Sequence, residues 1–163
     1  NTDWAGYLNS IKGLKIHKTK KILILGYGGA AQAIVYGLLS SGYKNVTVFN
    51  RSKKTINFYK HKTYTKKYSL IERHITKADL LINTTPTNPL NRKQTKSVCE
   101  KVVVSDIVYR PKQTAFLKSF KKNKKIYGIS MLIEQAVPTF HLWFGFEPTV
   151  DDKLIKKLNL KIK

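Results

Sequence analysis

The chain's 163 residues include 31 Lys and Arg against 9 Asp and Glu, a formal net charge of +22, and 42% of them are hydrophobic. That apolar content supports one folded core and excludes a disordered chain, while no apolar run approaches the ~20 residues needed to span a bilayer. Cys99 is the single cysteine, which excludes an internal disulfide, suits a reducing cytoplasm and reads as an inert helix residue. The charge points either to a nucleic-acid partner or to a generic basic surface. The lysines are dispersed in short clusters such as Lys66-Lys67, Lys121-Lys122 and Lys124-Lys125, with no RNA-binding signature and no zinc-finger spacing. The generic surface is the preferred reading, with steering of anionic ligands as its consequence.

In chain order, Asn1 to Leu8 reads as a capped helix start, with Thr2 or Asp3 as the cap and Trp4, Leu8 and Ile11 on one face. Gly13 to Lys20 is a polar connector. Ile22-Leu-Ile-Leu25 is apolar on both faces, as in a strand buried within a parallel sheet. A helix follows the glycine turn, with Ala33, Ile34 and Leu38 toward the sheet, and then a strand at Val46–Phe49. Residues 55–78 predict one or two short helices and a weak strand near Tyr64. Leu80–Ile82 is a buried strand ended by Asn83-Thr84-Thr85-Pro86, with a proline-marked loop and a short helix beyond. Val102–Val104 continues through Asp106 to Tyr109 as a strand stopped by Pro111. Gln113–Lys122 reads as a helix, Lys125–Tyr127 as an edge strand, Met131–Phe144 as an apolar helix and Asp151–Leu160 as an amphipathic one. Strands alternating with helices at this spacing predict an α/β fold, a Rossmann-type doubly wound parallel sheet with flanking helices.

The chemistry concentrates in residues 21–54. Gly26, Gly28 and Ala31 fit a G-x-G-x-x-G/A fingerprint: a tight turn, room for a pyrophosphate against backbone, and close helix–strand packing. The helix opening there, at Gly29 and Ala30, aims unpaired N–H groups and its positive dipole end at phosphates. The next strand ends about twenty residues beyond the turn, where an NAD site carries a carboxylate for the ribose 2′-hydroxyl. Here stand Asn50, Arg51, Ser52, Lys53 and Lys54. Arg51 can stack on adenine and pair with a 2′-phosphate, and Ser52 can donate to it, which points to NADP. The alternative makes these residues the solvated start of a helix. The four histidines, His17, His61, His74 and His141, have no metal-ligand spacing, and no metal is expected.

Four separated segments resemble the shikimate dehydrogenase family. They are Asn1-Thr2-Asp3 with Gly6; Gly26 to Ala31 with Asn50-Arg51-Ser52; Asp106-Ile-Val-Tyr109-Arg-Pro111 with Thr114; and Gly128-Ile-Ser-Met131-Leu132 with Gln135-Ala136, then Trp143 and Gly145. Family members carry an N-terminal substrate domain ahead of the N-T-D motif, which supplies a catalytic lysine. The resemblance therefore implies the C-terminal portion of an NADP-dependent enzyme that interconverts 3-dehydroshikimate and shikimate. Residues 1–17 would be an interdomain helix and connector, 18–128 the NADP-binding domain, and 129–163 C-terminal helices packing on the absent domain. That domain and the small-molecule substrate are the implied partners, with no specific nucleic acid and no membrane, in a monomer or homodimer.

Carried over by position, the resemblance implies that Asp3 pairs with the absent lysine at a substrate hydroxyl, where a ketone gaining hydride on carbon must gain a proton on oxygen. Helix capping is Asp3's other role, and the two can coexist. Asn1, Gln135 and Tyr109 would contact substrate, against the plain alternatives of an exposed helix glutamine and a structural tyrosine. Asn83, Thr84, Gly128 and Met131 would lie beside nicotinamide, core packing being the default for Met131. Two departures stand out: Tyr27 replaces a small residue of the turn, and Thr87-Asn88-Pro89-Leu90 stands where the family has a Gly-Met pair. Neighbouring readings are a quinate/shikimate dehydrogenase with relaxed cofactor choice, the cofactor domain of a glutamyl-tRNA reductase, and a basic nucleic-acid-binding module.

Overall fold

Strand β1 (Lys21–Leu25) is the axis of the molecule. A computed structural model, describing residues 1–58 and 61–162, pairs β1 in parallel with β2 (Asn45–Asn50) on one side and with β6 (Leu80–Asn83) on the other. Beyond β2 lies the two-residue β5 (Lys66–Lys67), and beyond β6 lie β7 (Val103–Asp106) and β8 (Lys125–Ile126). All six run parallel, in the 3-2-1-4-5-6 order of a doubly wound sheet. The direction of winding reverses between β1 and β6.

The unbroken apolar run of β1 is explained by burial on both faces. Ile22 and Ile24 join one layer with Ile34 and Leu38 of α2 (Gly29–Ser40) and with Tyr7 and Ile11 of α1 (Asp3–Lys12). Leu23 and Leu25 join the other with Ile71, Ile75, Leu81, Phe116 and Phe120. Each of these side chains contributes about 1.5–3 kcal/mol by leaving water.

The stretch after β2 holds the expected short helices, but a hairpin precedes them. Thr55–Phe58 (β3) and His61–Tyr64 (β4) form an antiparallel hairpin, with residues 59 and 60 of that stretch outside the described residues. Ile56 is buried and Phe58 packs edge-on to Tyr36 of α2, a period-two pattern that fits a strand. Only then come a 3₁₀ turn (Tyr68–Leu70) and α3 (Glu72–Ile75), a single helical turn. The strand near Tyr64 is present.

Other boundaries move for identifiable reasons. β7 stops at Asp106 rather than Tyr109 because the Asp106 carboxylate accepts from the Val108 N–H at 3.0 Å and turns the chain out of the sheet. The helix expected over Gln113–Lys122 shrinks to α5 (Ala115–Lys118); the Ser119 hydroxyl donates back to the Phe116 carbonyl at its end. Cys99 is not helical: it follows α4 (Arg92–Lys96) in an exposed loop. In α1 the buried face is Gly6, Tyr7 and Ile11, whereas Trp4 lies at the rim, edge-on to Tyr36.

The long helix α6 (Gly128–Phe144) begins one turn earlier than its apolar run, and α7 is Asp152–Lys161. α1 packs across α6 and α2. The crossing with α6 is close, since a Cβ on Gly6 would stand 2.5 Å from the Gln135 Cβ and 2.7 Å from its backbone nitrogen. The hydroxyls of Thr2 and Thr139 share a 2.7 Å hydrogen bond across it. No helix among the described residues is long and apolar enough to cross a membrane.

Candidate functional site

Past the carboxyl ends of β1, β2 and β6, at the point where the winding reverses, a cleft of about 590 Å³ opens. Open α/β sheets bind ligands at this position. Its floor is the turn between β1 and α2. Gly26 has φ +99°, and a Cβ on it would meet the Thr84 hydroxyl at 2.6 Å, so glycine is required twice over. At Gly28 and Gly29 an added Cβ would meet nothing; the backbone there faces open space. Gly28 is the N-cap of α2 and offers no side-chain cap, so the first N–H groups of the helix remain available to an anion.

One wall is the end of β2. Asn50 and Arg51 line the cleft. Ser52 and Lys54 do not; their backbones are knitted to Thr65 beside it. Thr65 Oγ1 donates to the Ser52 carbonyl at 3.1 Å and accepts from the Lys54 N–H at 2.8 Å, and the Asn50 amide donates to Ser52 as well. Lys53 lies over the ring of Tyr64 at 4.4 Å. The hairpin thus folds back to brace the basic segment, and no carboxylate is among the described residues lining the cleft.

The other wall is the loop after β6. Thr84 donates through both its N–H (2.9 Å) and its hydroxyl (2.7 Å) to the Leu25 carbonyl, fixing this loop to β1. Thr85, Pro86, Thr87 and Pro89 continue the wall. Asn83, expected beside the ligand, is buried instead, and its side chain is spent within the protein. Its amide group donates to the carbonyls of Thr85 and Thr87 and to Asp106 Oδ2 at 3.1–3.2 Å, while its oxygen accepts from the Thr85 hydroxyl at 2.8 Å. It shapes the wall rather than presenting itself to the cleft.

Two tyrosines complete the cleft. Tyr27, the departure in the glycine turn, is half-buried against the core and lines the opening. Tyr68 gave no signal in the sequence. Its hydroxyl is buried with no hydrogen-bond partner among the described residues; the Gly26 backbone approaches it outside bonding geometry, and burial pushes its pKa up to about 12. An orphaned phenol in a cleft is a group that a polar ligand can satisfy.

A second, smaller pocket of about 210 Å³ is lined by Asp3, Ala30, Ile107, Tyr109, Met131 and Gln135, together with Gly128 and Leu132. Three helices and a loop converge here. α1 brings Asp3, α6 brings Gly128, Met131 and Gln135, α2 brings Ala30, and the loop after β7 brings Tyr109. Ala30, assigned to the cofactor by sequence, stands on this side, so the first turn of α2 separates the two cavities. Met131 is both core and wall. Gly128 permits the approach of α6 to the loop after β7, since a Cβ there would strike the Ile107 carbonyl. Asn1 lies outside the pocket; its side-chain oxygen accepts from the Asp3 N–H at 2.8 Å and primes α1. Thr2 holds the N-cap position without a side-chain cap bond, and Asp3 lies in the first turn, which corrects the expectation that either caps the helix through its side chain.

Beneath both cavities lies Asp106, which sequence reading left without a role. It is 1% exposed, accepts from the Thr114 hydroxyl at 2.6 Å, from Asn83 and from Val108, and burial raises its pKa. Among the described residues no group of three or more His, Cys, Asp or Glu could hold a metal ion.

The sheet order, the glycine turn and the cleft at the reversal define a Rossmann-type α/β domain. The chain belongs to the shikimate/quinate 5-dehydrogenase family, whose model matches residues 10–115. It is 37% identical over 158 residues to the shikimate dehydrogenase (NADP(+)) of Dictyoglomus turgidum, covering 90% of this chain and 57% of that protein. Among solved structures it resembles shikimate 5-dehydrogenase from Thermus thermophilus in complex with NADP(H) and shikimate (27% identity, TM-score 0.75, 100% of this chain and 63% of that one). It also resembles the ligand-free 5-ketofructose reductase of a Gluconobacter strain (30% identity, TM-score 0.74, 100% and 64%). The chain spans about three fifths of the length of these relatives.

Proposed function

We propose that this chain is the cofactor-binding part of an NADP-dependent shikimate dehydrogenase, which reversibly reduces 3-dehydroshikimate to shikimate. The observation that carries this reading is the pairing of cavities on either side of the α2 N-terminus. One is a dinucleotide-sized cleft with Arg51 and no carboxylate at the end of β2; the other gathers Asp3, Tyr109 and Gln135.

The residues present fit NADP. The open backbone at Gly28 and Gly29 and the free N–H groups of α2 receive the pyrophosphate. Arg51 pairs with the 2′-phosphate and covers the adenine, and the Tyr68 hydroxyl finds its missing partner on the bound ligand. The cofactor supplies the hydride. Around the second pocket Tyr109 and Gln135 orient the substrate, Gly128 and Met131 shape the wall toward the nicotinamide, and the Asp3 carboxylate holds a substrate hydroxyl in partnership with a lysine of the remaining domain. A proton delivered at that oxygen as carbon gains hydride is general acid catalysis, which contributes about 10²–10⁴-fold. The remaining domain docks beside α6, whose C-terminal end presents Leu142, Trp143 and Phe144 to solvent, with Phe146 exposed just beyond it.

Joined to the N-terminal domain of the D. turgidum relative, the chain is expected to reduce 3-dehydroshikimate with NADPH. In that enzyme Asp3→Asn lowers kcat by about 10²–10⁴-fold and leaves NADPH affinity unchanged. Full turnover in the variant would remove Asp3 from the chemistry, and an inactive parent that binds both ligands would refute the assignment.

A further inference from the structure

The connection from β5 to β6 carries a 3₁₀ turn and the single turn of α3 where a doubly wound sheet ordinarily has a full crossover helix. Ile71 and Ile75 pack on this face in one core cluster with Leu23, Leu25 and Phe49. The amino half of β1 and β2 is left open. There a pit of about 260 Å³ forms over Leu23, with Lys21, Lys44, Arg73 and Lys77 around it and Thr47 and His74 in its wall. No carboxylate is among the described residues lining it. Asp79, at the edge, is already engaged by Lys20 at 3.0 Å and by the Lys21 N–H at 2.8 Å.

Four cations from three segments converge on one concavity, unlike the dispersed lysines elsewhere. His74 registers the field of three of them, Lys21, Arg73 and Lys77. Its pKa is lowered, first by partial burial and then by Lys66, Lys21, Arg73 and Lys77. The Lys66 ammonium stands 3.1 Å from Nε2; an ammonium only donates, so Nε2 is the acceptor and the ring is neutral with its proton on Nδ1. Phe49 backs the ring edge-on.

We propose that this pit binds a compact polyphosphate anion, at a site separate from the cleft beyond the carboxyl ends of the same strands. The volume lies just below the roughly 300–1,000 Å³ of drug-sized sites, which suits a di- or triphosphate rather than a dinucleotide. Guanidinium, ammonium and hydroxyl donors around an apolar floor are the chemistry that recognises such a group.

The test is calorimetric titration with sodium tripolyphosphate at about 0.15 M salt, with the His74 ring followed by NMR. One equivalent is expected to bind, shift the His74 resonances and raise the His74 pKa, because an anion offsets the surrounding cations. The exposed pair Arg73→Gln/Lys77→Gln weakens binding by about tenfold or more, whereas the charge-matched pair Lys153→Gln/Lys157→Gln on α7 does not. Equal weakening by the two pairs would reduce the pit to general basicity. Unmoved His74 signals with binding lost on Arg51→Ala would place the anion in the cofactor cleft instead. Absent binding, or tighter binding of a single-stranded oligonucleotide than of tripolyphosphate, would also overturn the proposal.

Discussion

Asp106 shows how one buried side chain positions two cavities. A carboxylate removed from water is costly unless its oxygens are paired, and here three donors meet it: the Thr114 hydroxyl, the Asn83 amide and the Val108 N–H. Through Asn83 the network reaches the Thr85 and Thr87 carbonyls of the cleft wall, and through Val108 it turns the chain toward Tyr109. Thr114 also accepts from the Leu117 N–H and caps α5. Hydrogen bonds to a charged group are worth about 1.5–3 kcal/mol and a cap about 1 kcal/mol. Thr114→Val is therefore expected to lower unfolding stability by about 2.5–4 kcal/mol at neutral pH. The sign of its pH dependence follows from the raised folded pKa. Protonation of Asp106 contributes stability fully below the ordinary Asp value and loses it as pH rises through the folded value. Removing the Thr114 donor raises the folded pKa further, so the deficit of the variant grows from mildly acidic to neutral pH in urea unfolding. A deficit independent of pH would mean that the carboxylate is not the partner that matters.

Among the elements, the α1–α6 crossing decides whether the smaller pocket exists. Asp3 and Gln135 come from these two helices, and Gly6 lets the backbones touch. A Cβ at Gly6 meets backbone as well as side chain of Gln135, so a helix must move. Gly6→Ala is expected to destabilise by about 1–3 kcal/mol, as overpacking does, despite the better helix propensity of alanine. Thermal unfolding measures this, and an unchanged or higher Tm would show that the crossing is loose. The sequence made the glycines and the apolar runs of β1, α2 and β6 legible, because burial on both faces and a turn needing φ > 0 leave few alternatives. It did not reveal the hairpin, whose alternation of Ile56 and Phe58 spans too few residues to stand out from a lysine-rich surrounding. Tyr68 was equally silent, since its place in the cleft depends on the 3₁₀ turn that follows β5. Asn83 was legible as a strand-end residue but not in its bonding: a strand-end amide can face outward or fold back on its own loop, and only three-dimensional placement shows that it does the latter.

At the scale of the whole molecule the charge of +22 is left largely uncompensated. The ion pairs formed among the described residues, Lys20–Asp79, Lys93–Glu72 and Lys122–Glu100, are exposed and contribute little. The folded chain therefore repels itself and is stabilised by screening. Raising salt from about 0.01 M to 0.15 M shortens the Debye length from about 30 to 8 Å. Tm is expected to rise by about 2–4 °C for each kcal/mol of repulsion relieved; a flat or falling Tm would show that the lysines are too far apart to interact. The same field draws anionic ligands to the molecule, but it cannot tell NADPH from NADH. On the proposed reading that distinction falls to Arg51, the one cation among the described residues lining the cleft, and a fluorescence titration of the chain with both cofactors at near-physiological salt tests it most directly. Saturable binding is expected, tighter for NADPH by about tenfold or more, as charge-assisted bonds to one phosphate imply, with the preference abolished in Arg51→Ala. Equal affinity for NADPH and NADH, or a preference that survives Arg51→Ala, would contradict the account of the cleft.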